Sequence, residues 1–364
     1  MDIETKIELI ARPPTDEIIT VQALRELLET NDRPVAYNGF EPSGKVHLGT
    51  GLICSYKMKD FIQAGIKFKV YLATWHAWIN DKLGGDRELI KKAALHFKHS
   101  WIALGVPEDK IEFIWPDQLY DDLDYWEIVV KVAKEMTLAR GIRTLEIAGR
   151  KESEGLKLAS LLYTPMQVAD IFHFGVQIPQ LGMDQRKANV VAMEVGEKIG
   201  FWKPVPVHHH LLQGLVKPPI WPLPKDPTER KEALSAVKMS KSKPNTAIFI
   251  YDEPEEIRTK ISKAFCPEKE VENNPMMDLA KHVIFREKNE MIIERPAKFG
   301  GNIEIQSFEE LTNIYSEGKL HPMDLKNSVA ENLIGILAPV REYFKKNKEA
   351  AETKQVIENA KITR

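Results

Sequence analysis

The sequence contains little cysteine: among its 364 residues only Cys54 and Cys266 carry thiols. Two thiols are too few for a disulfide framework or a cysteine-rich zinc site, and this composition is typical of a reducing cytoplasm. No apolar run reaches the ~20 residues that a membrane-spanning helix needs. We therefore expect a cytoplasmic protein that does not associate with membranes.

An excess of charge of one sign is also missing. Lysine and arginine number 51 and the acidic residues 53, so the formal net charge is −2 and the sequence pI is about 6.6. Without a bulk basic excess the protein cannot hold a polyanion by its global field, so any nucleic-acid surface must be a local patch. The sequence shows no internal repeat and no low-complexity segment.

Apolar segments of strand and helix character alternate along the first part of the chain. Strands are predicted for PVAYNGF, IKFKVYLATWHAWIN, IEFIWP and PVPVHHHLL, with helical spacing between them. Such alternation is typical of a parallel sheet covered by helices. It predicts a doubly wound α/β domain.

Two regions depart from this alternation. Residues of about 115–165 have helical spacing, which predicts a helical insertion that also forms a subunit contact. Helical periodicity returns after residue 250, so we expect one domain over 1–250 and a separate, all-helical domain over 251–364. The proline- and lysine-rich loop at about 217–245 is too long to lack a function.

The segment YNGFEPSGKVHLG at 37–49 runs from the first strand through a glycine-containing turn to the start of a helix. Gly39 and Gly49 let the backbone or a ring approach closely, and a helix N-terminus favours phosphate. His47 can donate a hydrogen bond to that phosphate. The segment is neither a Walker loop nor GxGxxG, so we interpret it as a different type of nucleotide site.

A second segment, KMSKS at 238–242, lies in the long loop. Mobile ammonium groups can stabilise charge on a transferring phosphoryl group and on pyrophosphate without covalent chemistry. A lysine- and serine-rich surface loop can produce the same string by chance, so the string alone is only moderately specific.

Together the two segments resemble the signatures of class I aminoacyl-tRNA synthetases, HIGH as HLGT at 47–50 and KMSKS without change. Threonine stands where HIGH has its second histidine. The resemblance implies a Rossmann-like sheet of the HUP type and ATP as a substrate that arrives with Mg²⁺, with no tightly bound cofactor. It implies catalytic roles for His47, Lys238 and Lys241. It implies ATP binding by Gly39, Phe40, Glu41, His47, Gly49, Thr50, Met239 and Lys241.

The helix YTPMQVADI carries polar side chains that indicate the second substrate. Tyr163, Gln167 and Asp170 are three or four residues apart and share one helix face. Tyr37, at the carboxyl end of the first strand, and Asp170 can both hydrogen-bond a phenolic hydroxyl. Tyr163 and Gln167, with Gln185, can hold a substrate ammonium group. Helix packing, or a buried carboxylate that bridges neighbours, is the alternative for the helix residues.

The resemblance is closest to archaeal and eukaryotic tyrosyl-tRNA synthetases, through YxGFEPSGxxHLG, MQVADI and GMDQRK. It implies a homodimer and a tyrosine site at Tyr37, Tyr163, Gln167, Asp170 and Gln185. Tryptophanyl-tRNA synthetases share the fold and are the nearest alternative. An adenylating relative that does not use tRNA, or an RNA-binding relative without catalysis, is the alternative from another class.

The same resemblance implies tRNA-binding residues. The candidates for the acceptor end are Arg143, Arg186 and Lys187. In the family, the residues that match Arg143 and Arg186 approach the first acceptor base pair. The candidates for the anticodon are Phe299, His321 and Asp324 in KFGG and HPMDLKN. An aromatic ring can stack on an unpaired base while polar side chains bond its edge. The alternatives are a plain surface role for the cations and a helix start capped by Asp324.

The run His208-His209-His210 has the composition of a metal site. Consecutive residues on a strand point to opposite faces, however, so we predict packing or exposure and no resident metal. The sequence shows no carboxylate cage for magnesium, which is expected to enter with ATP.

Overall fold

The computed structural model describes residues 1–116, 119–149, 157–226, 229–230, 233, 237, 239, 241 and 244–360. The chain divides into two compact units, one formed by Met1–Gly44, Cys54–His210 and Gln355–Arg364, the other by Lys45–Ile53 and Leu211–Lys354. Within the described ranges, no helix combines the length and apolar character that a membrane span requires.

A sheet lies at the centre of the first unit. Its strands, within the described residues, are β1 (Thr15–Ile18), β2 (Val35–Phe40), β3 (Lys67–Leu72), β4 (Ile111–Ile114), β5 (Ile178–Gly182) and β6 (Val207–His209). They lie in the order β1-β6-β5-β2-β3-β4. All neighbours are parallel except the edge strand β1, which runs antiparallel to β6. The predicted parallel α/β sheet is confirmed, with an antiparallel strand at one edge.

Helices precede and connect these strands. They are α1 (Ile3–Ala11), α2 (Val21–Thr30), α3 (Cys54–Gln63), α4 (Thr74–Ile79), α5 (Arg87–Ala103), α6 (Leu123–Lys134), α7 (Leu138–Thr144), α8 (Tyr163–His173) and α9 (Arg186–Val195). Several begin at side-chain caps, as in α5, where the Asp86 carboxylate accepts from the backbone N–H groups of Glu88 and Leu89 at 3.0 Å. Such caps satisfy donors that have no partner within the helix.

The predicted strand over 66–80 is wrong in its second half. The strand ends at Leu72, and Thr74, His76 and Ala77 are buried at helical spacing in α4. Aromatic residues favour a strand locally, but tertiary packing decides how they are used. The sequence also did not indicate β5, in which Pro179 pairs with Tyr37 of β2.

The helical insertion is present between β4 and β5 as α6, α7 and the short 3₁₀ turns Leu145–Ala148 and Leu158–Leu162. Asp122 caps α6 by accepting from the backbone of Asp124 at 2.9 Å. The buried face of α6, which includes Tyr125 and Val129, packs with α8 in a core cluster that also contains Tyr37.

In the second unit, the segment 45–53 pairs with 248–250. Leu48 N–H donates to the Ile248 carbonyl at 3.0 Å, and Ile250 N–H donates to the Val46 carbonyl at 3.1 Å. A π-helical turn over Gly49–Ile53 follows. Later helices of this unit include α10 (Pro254–Ser262), α11 (Pro275–Leu279), α12 (Phe285–Glu287), α13 (Phe308–Ser316) and α14 (Pro322–Lys346), with a π turn over Ala280–Ile284. The last helix of the chain is α15 (Lys348–Asn359).

The helical C-terminal region is confirmed, but "all-helical" is wrong in one place. Met291–Ile293 and Ile303–Ile305 form an antiparallel pair, β7 and β8. Met291 and Ile293 are buried while Ile292 between them is 46% exposed, which is the period of a strand. The run is too short to interrupt the helical periodicity of its surroundings. The assignment of 1–250 and 251–364 to separate domains stays a prediction.

Candidate active site

Tyr37 on β2 and Asp170 on α8 form the centre of a buried polar site in the first unit. Their exposed fractions are 0% and 1%. Tyr125 donates a hydrogen bond from its hydroxyl to Asp170 Oδ1 at 3.0 Å. The Tyr37 hydroxyl has no hydrogen-bond partner among the described residues. Because buried polar groups are normally paired, this hydroxyl indicates a place for a ligand group.

Burial dominates the electrostatics of this site. It raises the pKa of Asp170 well above its usual range, although the Tyr125 hydrogen bond opposes the shift. His76 Nε2 lies 3.7 Å from Asp170 Oδ2, and burial lowers the pKa of His76 to about 4, so this imidazole is neutral at pH 7. The Tyr125 hydroxyl and the His76 ring beside the Asp170 carboxyl are therefore both uncharged.

The other predicted tyrosine-binding residues lie beside it. Gln167 Nε2 donates to Gln185 Oε1 at 3.2 Å, and Gln185 Nε2 donates to the Ile147 carbonyl at 3.0 Å. This chain fixes both amides and leaves Gln167 Oε1 as an acceptor without a partner among the described residues. The Tyr163 ring meets His76 edge to face at 4.8 Å between centroids.

Sequence reasoning missed His76 and Tyr125. His76 follows the carboxyl end of β3, the sheet edge at which ligands bind in parallel sheets, and this position was available as a signal. It was lost because 66–80 was interpreted as one strand. Tyr125 lies in the insertion, and no local pattern indicates that its hydroxyl reaches Asp170. The expectation that Tyr37 ends its strand is wrong, because β2 continues to Phe40 and Tyr37 pairs with Lys69 within β3.

His47 is oriented by its own turn in the second unit. Its Nδ1 accepts from the backbone N–H groups of Gly49 at 3.1 Å and Thr50 at 3.4 Å. In a neutral ring Nε2 then carries the proton, and it lies 3.3 Å from Thr50 Oγ1. A Cβ on Gly49 would lie only 3.1 Å from His47 Cε1, so glycine permits this ring position.

The other predicted ATP residues of the 37–49 segment lie in the first unit. Phe40 is 8% exposed and its ring packs on Trp101 at 4.3 Å, so its side chain is part of the core. Glu41 accepts from Asn80 Nδ2 at 2.9 Å. A Cβ on Gly39 would make only ordinary contact with Tyr37, at 3.5 Å.

The KMSKS segment is described only in part, since Lys238, Ser240 and Ser242 lie outside the described residues. Met239 is buried, and its backbone N–H approaches the Leu212 carbonyl at 3.5 Å. Lys241 is half-buried.

The predicted acceptor-end cations lie on α7 and α9 of the first unit. Arg143 is exposed. Lys187 Nζ contacts Glu146 Oε2 at 2.5 Å and the Arg143 carbonyl at 3.4 Å. Arg186 Nε donates to both carboxylate oxygens of Glu17, at 3.0 and 2.8 Å. The side chains of Arg186 and Lys187 are therefore held by ion pairs.

The predicted anticodon residues lie in the second unit. His321 is exposed and caps α14, because its Nδ1 accepts from the Met323 N–H at 3.1 Å. The alternative in which Asp324 caps this helix is wrong, since the histidine occupies the cap. The carboxylate of Asp324 is half-buried. The side chain of Phe299 is not part of the described structure.

Each imidazole of the histidine run has a partner in the first unit. The pairs are His208 Nδ1 with Glu17 at 2.8 Å, His209 Nδ1 with Gln180 at 2.7 Å and His210 Nδ1 with Asp16 at 2.9 Å. Burial lowers the pKa of His209 to about 3. The expected packing role accounts for His208 and His209, which are buried.

Comparison with known proteins defines the class. A family model described as tRNA synthetases class I (W and Y) matches residues 29–338, which is most of the chain. The parallel sheet, the insertion and the HLGT segment lie within this span. They define an aminoacyl-tRNA synthetase of class I.

Similarity to individual proteins narrows the class. The tyrosine–tRNA ligase of Thermococcus kodakarensis is 50% identical over 379 residues and covers 100% of both chains. The structure of tyrosyl-tRNA synthetase from Pyrococcus horikoshii, complexed with L-tyrosine, matches with a TM-score of 0.92 and 48% identity, covering 98% of this chain and 100% of that one. The chain belongs to the archaeal-type tyrosyl-tRNA synthetase family, as its motifs predicted.

Tryptophanyl-tRNA synthetases, the nearest alternative, share the fold with lower structural and sequence similarity. A tryptophanyl-tRNA synthetase structure from Aeropyrum pernix K1 matches with a TM-score of 0.65 and 18% identity, over 94% of this chain and 85% of that one. This likeness concerns the fold alone.

Proposed function

We propose that the chain is a tyrosine–tRNA ligase, which activates L-tyrosine with ATP and transfers it to the 3′ end of tRNA(Tyr). The relatives that cover it from end to end carry that name. The observation that carries the proposal is the buried, unpaired hydroxyl of Tyr37 in the site that contains Asp170.

Recognition of tyrosine follows from these groups. The substrate phenol donates to Asp170, whose Oδ1 already accepts from Tyr125, and the Tyr37 hydroxyl donates to the phenol oxygen. Phenylalanine would leave the buried Tyr37 hydroxyl without a partner and would offer Asp170 no donor, and tyrosyl enzymes are the known example of strong rejection on this basis. The substrate ammonium group is held by Gln167 Oε1, with Tyr163 and Gln185.

Activation is an in-line displacement. A carboxylate oxygen of tyrosine attacks the α-phosphorus of ATP, which enters as its magnesium complex, and pyrophosphate leaves. His47 donates from Nε2 to a phosphate oxygen, and Lys238 and Lys241 stabilise the charge of the leaving group. Gly39, Glu41 and the Phe40 backbone contribute to nucleotide binding. The catalysis is positioning and electrostatics without a covalent enzyme intermediate.

Transfer completes the reaction. A hydroxyl of the terminal ribose of tRNA attacks the activated carbonyl carbon and AMP leaves. Arg143, Arg186 and Lys187 hold the acceptor end. The anticodon is recognised by Phe299, His321 and Asp324, through stacking and bonds to base edges.

The helical insertion is proposed as the contact of a homodimer. Its exposed apolar side chains support this: Leu123 and Leu158 are 83% exposed, Leu138 67% and Val130 56%. Large exposed apolar side chains concentrated in one segment are typical of protein interfaces. A cytoplasmic location stays a prediction from the composition.

Exchange of pyrophosphate into ATP, measured with each of the twenty amino acids, tests the proposal. We expect exchange with tyrosine and little with phenylalanine. Exchange with tryptophan alone would favour the sister enzyme, and exchange without charging of tRNA would favour an adenylating relative. Lys241→Ala should reduce exchange by about 100-fold. Lys225→Ala, an exposed lysine of the same loop, is the matched control.

A further inference from the structure

The ion pair of Arg186 with Glu17 leaves part of the guanidinium available. Arg186 donates to Glu17 through Nε alone, and its two terminal nitrogens make no hydrogen bond with the described residues. The side chains are 46% and 28% exposed, so the contact lies at the surface of the first unit. A guanidinium held at Nε has a defined plane, and its outer edge can bind a phosphate or a base.

His208 holds Glu17 from the other side. The imidazole side chain is fully buried, and its Nδ1 lies 2.8 Å from Glu17 Oε2. Its Nε2 lies 2.9 Å from Asn189 Nδ2, which can only donate. Nε2 is therefore the acceptor and Nδ1 carries the proton that Glu17 accepts. Burial lowers the pKa of His208, which favours the neutral ring.

The strand register creates this arrangement. Thr15 pairs with His209 and Glu17 with His208, so β1 advances by two residues where β6 advances by one. Asp16 is the extra residue of a β-bulge. Bulges re-aim side chains at sheet edges, and here Glu17 lies directly across from His208. Hydrogen bonds thus connect four side chains in series, those of Asn189, His208, Glu17 and Arg186.

We propose that Glu17, supported by His208, is a positioning residue that orients the Arg186 guanidinium for the acceptor end of tRNA, an inference that rests on the proposed function. Glu17 itself does not touch the substrate. Its negative charge fixes Arg186 and opposes non-specific phosphate binding, so it contributes selectivity for the correct acceptor end. The sequence indicates Arg186 but not its partner, since Glu17 lies 169 residues earlier in the chain.

The experiment uses the full-length enzyme with Glu17→Ala, Glu17→Gln, Arg186→Ala and the double variant Glu17→Ala/Arg186→Ala. We measure tyrosine-dependent pyrophosphate exchange, then aminoacylation of tRNA(Tyr) and of a transcript whose first acceptor base pair is exchanged. Glu17→Ala should raise KM for tRNA(Tyr) by about 10-fold and reduce discrimination between the transcripts, with exchange unchanged. Glu17→Gln, which keeps an acceptor oxygen, should have a smaller effect. The double variant should resemble Arg186→Ala, because the two residues act as one unit.

Asp16→Asn is the matched control. Asp16 accepts from His210 on the same pair of strands at a similar exposure and does not contact Arg186, so this variant should charge tRNA normally. The proposal would be overturned if the effects of Glu17→Ala and Arg186→Ala multiply in the double variant. It would also be overturned if Glu17→Ala reduces pyrophosphate exchange as much as aminoacylation, or if Asp16→Asn shows the same defect in aminoacylation. Wild-type enzyme that shows no exchange with tyrosine would refute the proposed function, and the inference with it.

Discussion

Tyr125 donates a hydrogen bond to Asp170 Oδ1 over 3.0 Å, whereas the equally buried hydroxyl of Tyr37 has no partner among the described residues. Both hydroxyls belong to one site, since the charge of Asp170 contributes to raising the pKa of each after the larger effect of burial. One hydroxyl thus orients the carboxyl and the other is left for the substrate.

This difference predicts opposite phenotypes for two conservative variants. Tyr37→Phe removes no protein hydrogen bond, so the free energy of unfolding should not fall, while KM for tyrosine should rise by about 10-fold. Tyr125→Phe should lower the free energy of unfolding by about 1 kcal/mol. Urea unfolding and pyrophosphate exchange measure both quantities. A destabilised Tyr37→Phe protein would mean that its hydroxyl is paired in solution.

A second prediction concerns pH and Asp170. Burial raises its folded pKa above the ordinary value of 3.8, so its contribution to stability is fully present below pH 3.8 and is lost as pH rises through the folded pKa. Asparagine does not ionise, so Asp170→Asn abolishes this loss of stability with rising pH. The melting temperature of the variant relative to wild type should therefore increase with pH across that window.

The same variant should exchange pyrophosphate with tyrosine about 100-fold more slowly, because its amide cannot replace the carboxylate acceptor. Thermal unfolding between pH 4 and pH 8 measures the pH dependence of the melting temperature. An Asp170→Asn enzyme that exchanges pyrophosphate at the wild-type rate would contradict the role given to the carboxylate.

Gly49 provides a third prediction. A Cβ at this position would lie 3.1 Å from Cε1 and 3.2 Å from Nδ1 of His47, so alanine must displace the ring by a few tenths of an ångström. We expect Gly49→Ala to lower kcat for exchange by about 10-fold with little change in KM for tyrosine. Gly335→Ala in α14 is the control: nothing lies within 4 Å of its added Cβ, and helix propensity should raise stability by ~0.5–1 kcal/mol. An unaffected Gly49→Ala enzyme would remove the role given to the His47 orientation.

The start of α14 provides a fourth prediction. Asp324→Ala should raise KM for tRNA about 10-fold and leave tyrosine-dependent exchange unchanged, because the residue is proposed to read the anticodon. His321→Ala should in addition lower the free energy of unfolding by about 1 kcal/mol, because it removes the cap on Met323. His321→Asn keeps an acceptor for that cap and should restore stability without restoring tRNA affinity. Loss of exchange in Asp324→Ala would indicate misfolding.

Sequence patterns were sufficient where a function depends on adjacent residues. The 37–49 segment, the shared face of Tyr163, Gln167 and Asp170, and the helical insertion were predicted because each is a local spacing. The strand assignment failed at 74–79, where aromatic residues suit both helix and strand and the packing around them decides.

By itself, the sequence determined the α/β class, the family and the chemical types of the site residues, since these depend on short-range order along the chain. The tertiary structure alone decided which of those groups are paired: Tyr125 and not Tyr37 donates to Asp170, Thr50 contacts His47, and Glu17 holds Arg186. Hydrogen bonds act over about 3 Å, and no pattern along a sequence specifies which distant residues the fold brings within that distance.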